Sequence, residues 1–261
     1  MASLTPLICI IDTGVHLASL PADANIAGID LTDPDGPDGW REEKQTHATL
    51  TCLSILKTYP KCRIFVVKIV AAAGLTSNVG IVIEAFDWIC RNAESLKISV
   101  VCVPLADMSH NENDEVYRFT PAQKYVSHLR DVGIATVAAA GNWGRNYPNQ
   151  GMAWPAILRE VVSVGAAFDH ENAIKILPSS QRLAPSADTP CRTSIFAVCD
   201  ETSGTSGASA VISARLALLR TQAPEASVAE LVSKLVEDST SILDDQGWTW
   251  TVSRSNLRNS T

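Results

Sequence analysis

Residues 98–139 read ISVVCVPLADMSHNENDEVYRFTPAQKYVSHLRDVGIATVAA, and the fold is decided by how this stretch is parsed. Ile98–Leu105 and Ile134–Ala139 are nearly continuous apolar runs rather than alternating ones. That pattern belongs to parallel strands covered on both faces. Between them, Thr120–Val132 has helical length and opens with Thr-Pro, a good N-cap followed by proline at the first helical position. Strand, helix, strand is one crossover unit.

The same pattern extends outward in both directions. Leu7–Ile11, Ile64–Val70 and Val161–Ala166 read as further buried strands, and Thr46–Thr58, Ser77–Ala93, Ser206–Thr221 and Ser227–Glu237 as helices. Alternating strands and helices predict an α/β fold of three layers, a mostly parallel central sheet flanked by helices. Asp30–Gln45 is acidic and turn-rich and reads as a surface loop; 106–119 and 168–192 are the other irregular stretches. After Gly247 the alternating WTWTV reads as a last edge strand, followed by a polar tail.

Composition narrows the function. Of 261 residues, 46% are hydrophobic and 19% charged, which excludes a disordered chain. The formal charge is −7 with no basic run, so neither nucleic acid nor an anionic membrane is expected as a partner. The longest uncharged stretch, Ile69–Ile83, is too short to span a bilayer. Met1–Ile11 lacks a basic leader region and a small-residue cleavage site. The seven cysteines include no CxxC pair, and Cys9, Cys90 and Cys102 lie in apolar runs typical of buried thiols. A reducing, cytoplasmic setting is the expectation, with a Cys191–Cys199 bridge left open. The acidic loop 30–45 reads as solvated surface rather than a metal site, and no metal or other cofactor is expected.

Sites in open α/β sheets lie beyond the carboxyl ends of strands, and four polar residues sit at such boundaries. Asp12, in IIDTG, ends the first strand; it caps a turn or orients a partner. His47, in QTHATLTCLSIL, lies at a helix start, as a surface residue or a base. His16, His110, His128 and His170 read as loop or helix-surface residues. Asn142, in AAAGNWG, follows a core strand and is either a turn residue or a donor for a developing oxyanion. Ser206, in SGTSGASA, is an N-cap or a nucleophile beside a helix N-terminus.

Taken in order, IIDTG, THAT, AAAGN and SGTSGASA resemble the subtilisin-like serine proteases, the subtilases. FVVKIV, SVGAAFD and LAPS (183–186) resemble segments between the family's motifs, and the resemblance runs from about Leu7 to Gly247. It implies a peptidase domain over 1–247 and a C-terminal strand and tail over 248–261. It also implies that Ser206 is the nucleophile, His47 the general base and Asp12 its orienting partner, with Asn142 and the Ser206 N–H as oxyanion hole. A peptide or protein substrate would add as a strand along Val103, Pro104, Leu105, Ala106 and Asp107. Ala139, Ala140 and Gly141, with Trp154, Pro155 and Ala156, would wall the first specificity pocket.

The departures sharpen the expectation. Ala48 and Gly207 stand where the family has Gly and Met, and Ala210 where it has Pro. In VPLAD, Ala106 narrows the groove where the family keeps Gly, and Asp107 adds negative charge. These changes predict a restricted specificity weakly biased towards basic residues. Beside the family, the short His47 to Lys68 segment is expected to lack the calcium loop, and no region before Leu7 reads as a cleaved pro-domain, so that either the enzyme folds without one or the chain is cut from a larger protein. Cys52, five residues beyond His47, is expected to face the interior near the site. Three functions remain: a serine endopeptidase, a macrocyclase or transpeptidase in which an amine resolves the acyl-enzyme, and a peptide-binding pseudoprotease. The short Asp12–His47 interval disfavours the lid a macrocyclase needs, and the complete set of four residues disfavours the last.

Overall fold

Continuous apolar runs become strands whose alternate side chains feed two separate helical layers. In β1 (Leu7–Asp12) all six residues are buried. Ile8 and Ile10 enter one hydrophobic layer, and Leu7, Cys9 and Ile11 the other. This is a computed structural model, describing residues 5–33, 36, 38–70, 79–171, 173–244 and 246–253.

The chain continues through β2 (Asn25–Asp30), α1 (His47–Thr58), β3 (Arg63–Lys68), α2 (Val79–Leu96), β4 (Ile98–Val103), α3 (Pro121–Asp131) and β5 (Ala135–Ala139). Then come β6 (Val162–His170), β7 (Ala173–Ile176), β8 (Ile195–Val198), α4 (Gly204–Gln222), α5 (Val228–Glu237), β9 (Thr240–Leu243) and β10 (Thr249–Ser253). The described strands form one sheet in the order β2-β3-β1-β4-β5-β6-β8-β10-β9, with β7 folded back on β6. Pairing is parallel except for β6–β7 and β9–β10. Helices α1, α4 and α5 cover one face through Cys52, Ile55, Leu216 and Leu231. Helices α2 and α3 cover the other through Phe86, Ile89, Val126 and Leu129. The three-layer expectation holds. Helix α4 is buried along almost its whole length, and the small Gly207, Ala208, Ser209 and Ala210 let it lie close against its neighbours.

Three expectations need correction. Asp30–Gln45 is not simply a surface loop. Asp30 closes β2, and Trp40 is buried against Gly28, where a Cβ would come within 2.7 Å of the indole. The Trp40 carbonyl accepts from the Val15 N–H at 2.8 Å. Lys68 Nζ lies 3.0 Å from Asp30 Oδ2, 2.9 Å from Glu42 Oε1 and 2.8 Å from the Gly39 carbonyl. Burial opposes the ammonium charge, but the hydrogen bonds and charges of Glu42 and Asp30 outweigh it and raise the Lys68 pKa. Residues 34, 35 and 37 of this loop lie outside the described residues. Secondly, WTWTV is not an edge strand: β10 lies between β8 and β9, because β9 returns antiparallel onto it and takes the edge. Thirdly, the stretch 168–192 is not wholly irregular, since β6 runs to His170 and turns into the hairpin strand β7.

Smaller readings fall out as follows. Cys191 and Cys199 are both free thiols, with Cys199 Sγ directed at the Gly204 and Ala167 carbonyls. Cys9 and Cys102 are buried, Cys90 half-buried. Ser77, the expected start of α2, and the tail from 254 onward lie outside the described residues.

Candidate active site

Asp12 is the last residue of β1, with its carboxylate wholly buried. It accepts from the Thr13 N–H (2.7 Å) at Oδ1 and from the Thr51 hydroxyl (3.2 Å) at Oδ2. His47 Nδ1 sits 2.8 Å from both oxygens. A carboxylate can only accept, so Nδ1 carries the proton and Nε2 is the free lone pair of the neutral ring. Among the described residues Nε2 has no hydrogen-bond partner. Burial of the imidazole lowers its pKa, but the hydrogen bond to Asp12 and the carboxylate's charge outweigh this and hold it above the usual histidine value.

The threonines around these two residues fix the helix to the strand. Thr46 is the N-cap of α1, in a reciprocal capping box with Thr49. Its hydroxyl donates to the Gly14 carbonyl at 2.6 Å, so the Thr49 hydroxyl must donate to Thr46 Oγ1, 2.8 Å away. Thr49 Oγ1 also accepts from the His16 N–H, and Thr13 Oγ1 from the Ala48 N–H. The start of α1 is thus bound to the turn after β1 on both sides of His47. Sequence reasoning missed these partners; their signal was two threonines, three residues apart, spanning a helix start.

Ser206 lies in the first turn of α4, where backbone N–H groups have no partner one turn back. Its hydroxyl donates to the Pro104 carbonyl at 2.7 Å. Asn142 stands just beyond β5, after Gly141 at φ 109°. Asn142 Oδ1 accepts from both the N–H (3.0 Å) and the hydroxyl (3.1 Å) of Thr205. Backbone donors fix which end of an amide is oxygen, so Nδ2 is the end left for a ligand. Gly204 must be glycine twice over: its φ is +54°, and a Cβ there would sit 2.7 Å from Asn142 Oδ1.

The segments expected to meet a substrate converge here. Past β4, Pro104 is buried, Leu105 half-buried and Ala106 exposed. Among the described residues the backbone N–H and C=O of Ala106 are unpaired. Asp107 Oδ1 accepts from the Ser109 N–H and hydroxyl and from the Trp154 N–H (3.0 Å), while the Asp107 N–H donates to the Trp154 carbonyl (3.1 Å). Asp107 therefore braces the 104–109 segment to Trp154 as well as carrying charge. Val103, Ala140, Trp154 and Ala156 turn their side chains into the α2/α3 layer, Ala139 and Gly141 are buried, and the Trp154–Pro155 peptide is cis. LAPS is separated from the serine helix by β8. Cys52 is buried on the α1 face towards the sheet, as expected; burial first and the charge of Asp12 second hold its thiol well above the usual range.

The subtilase family model matches residues 5–250, nearly the whole chain. The chain belongs to the subtilase family. The fold of this subtilase is also that of a cold-adapted subtilisin-like serine proteinase (TM-score 0.70, 18% identity, 96% of this chain and 89% of the other). The S41 psychrophilic protease is similar at TM-score 0.69 and 20% identity over 89% of this chain and 82% of its own. So is PagA, a prenylagaramide maturation protease, at 0.66 and 18% over 93% and 88%. The subtilase fold places all four sequence-predicted polar residues at the carboxyl end of the sheet. No helix among the described residues is long and apolar enough to cross a membrane.

One histidine was misjudged. His110 is no simple loop-surface residue: its ring stacks on Tyr147 at 3.9 Å and both nitrogens are engaged. The partners lie far away in sequence, which hid the role.

Proposed function

We propose that this subtilase hydrolyses peptide bonds through an acyl-enzyme on Ser206. The observation that carries the reading is the Asp12–His47 pair, with Nδ1 locked on a buried carboxylate and Nε2 free. A substrate lying along 104–107 presents a backbone N–H to the Pro104 carbonyl, the group that now takes the Ser206 hydroxyl. The hydroxyl then turns to His47 Nε2, which removes its proton as Oγ attacks the scissile carbonyl. Negative charge develops on the carbonyl oxygen and is met by Asn142 Nδ2 and the Ser206 N–H. His47 passes its proton to the leaving amine, and water resolves the ester by the reverse sequence.

A fluorophosphonate probe tests this: it should label the wild type and not Ser206→Ala. Silence in the wild type would point instead to a pseudoprotease or a missing activator. Mass spectrometry of the products from a long peptide separates hydrolysis from cyclisation. The described residues between Asp12 and His47 are tied down by the burial of Trp40 and by the pairing of Asp30 and Glu42 with Lys68 of β3, which supports hydrolysis. Specificity is restricted: Ala106 narrows the groove and the second oxygen of Asp107 favours a basic side chain. A peptide-library profile that is broad or acidic would sink that part. Free thiols at all seven cysteines support a cytoplasmic, reducing setting.

A further inference from the structure

Gln181 is almost wholly buried and lies outside every motif that marked the site. Its backbone N–H donates to the Gly141 carbonyl at 2.8 Å, and its Oε1 accepts from the Trp143 N–H at 3.4 Å. These two contacts straddle Asn142. Its Nε2 donates to the Ser109 carbonyl at 2.9 Å and to His110 Nδ1 at 3.0 Å. The Ser109 carbonyl can only accept, which fixes the amide orientation. His110 Nδ1 is then an acceptor, and its Nε2–H donates to the Asn149 carbonyl at 3.0 Å.

Glycine is required where this side chain passes. Gly141 has φ 109°, and a Cβ there would fall 2.0 Å from Gln181 Oε1. Gly151 carries the His110 ring, which a Cβ would meet at 2.6 Å. Ser109 in turn bonds Asp107 and accepts from the Trp154 N–H at 3.1 Å. One buried amide therefore joins the loop holding Asn142 to the segment holding the Pro104 carbonyl.

We infer that Gln181, with the Ser109 carbonyl and His110 Nδ1 both accepting from its amide, is a positioning residue that holds Asn142 at the height where the oxyanion forms. The inference rests on the hydrolase reading above. Oxyanion donors act only when placed before the charge develops, so a loosened loop lowers kcat and leaves ground-state binding alone. A merely structural glutamine would lower stability and nothing else.

The test uses the full chain, a fluorophosphonate probe, and a fluorogenic peptide chosen from the library profile. Gln181→Met keeps the length and removes all side-chain hydrogen bonding. It should lower kcat about 10- to 100-fold with KM within about twofold, and slow probe labelling by a similar factor. Combined with Asn142→Ala, it should cost no more than Asn142→Ala alone, within about threefold, because both act through one donor. Wild-type kcat in a folded Gln181→Met chain, or full additivity with Asn142→Ala, overturns the inference and leaves the hydrolase reading intact. A wild-type chain that the probe does not label overturns both. Should Gln181→Met not fold, His110→Phe carries the test: it keeps the stack on Tyr147, removes the Nδ1 acceptor, and should show a smaller kcat loss with the same non-additivity.

Discussion

The two halves of the candidate site are built to different standards of completeness. Around Asp12 and His47 nearly every hydrogen-bonding group is occupied: Thr13, Thr51 and the imidazole converge on one carboxylate, and Thr46 and Thr49 clamp the helix start. Around Ser206 and Asn142 the groups that would meet a substrate are held from behind and left open in front. The Asn142 amide is fixed through its oxygen, and the Ser206 hydroxyl rests on a carbonyl that a peptide N–H can use. Folding alone assembles the half that must not rotate. On the proposed mechanism the other half would complete its contacts only when a peptide enters, which concentrates ground-state order where the tautomer matters.

The largest test of that contrast removes the pairing in the finished half. Asp12→Asn keeps the shape but presents an amide to Nδ1, favouring the wrong tautomer, and should lower kcat about 10⁴-fold in a peptide assay. Asn142→Ala attacks the open half and should cost about 10²–10³ in kcat with KM little changed. A loss in KM alone would mean that Asn142 binds substrate rather than the transition state. Lys68→Met reaches the finished half from behind: Asp12, Lys68 and Asp30 share one level of the sheet. Removing the ammonium leaves two carboxylates unpaired and should cost about 3–5 kcal/mol in urea unfolding. If stability is unchanged, the loop joining Asp12 to His47 is not held by that pair.

How much of this was legible in the sequence depends on the range of the contact. Strands buried on both faces announced themselves, as in LICII and IATVAA, because burial on both faces demands continuous apolar residues. Strand β2, NIAGID, did not, because it lies at the sheet edge half exposed and its alternation is broken by Gly28 and Asn25. Trp40 looked like a loop residue because its burial depends on Gly28 lacking a side chain, a fact written twelve positions earlier. Asp12, His47, Asn142 and Ser206 were readable since each stands at the end of an element that local pattern defines. Gln181 was not, since its partner His110 lies 71 residues away and only the fold brings them together.

The smallest expected effect is the most diagnostic of how complete the finished half is. Thr51 is buried one helical turn beyond His47, and its hydroxyl is shared between the His47 carbonyl (3.1 Å) and Asp12 Oδ2 (3.2 Å). The His47 pKa is raised, so on the proposed mechanism, which uses the neutral ring, activity should rise only as pH climbs through a value above the ordinary histidine one. The ionic contribution of the protonated ring to stability has the opposite course: it is full below the ordinary value and lost as pH rises through the raised one. Thr51→Val deletes a donor to the carboxylate without changing side-chain volume much. The carboxylate then attracts the imidazolium more strongly, so the acid limb of the kcat/KM profile should move to higher pH by a few tenths of a unit. The rate above that limb should fall only about two- to fivefold, since Thr13 and His47 still hold Asp12 in place. An acid limb that stays put would show that the Thr51 hydroxyl serves the helix backbone and not the carboxylate, and Asp12 would then be held by the Thr13 N–H and the imidazole without it.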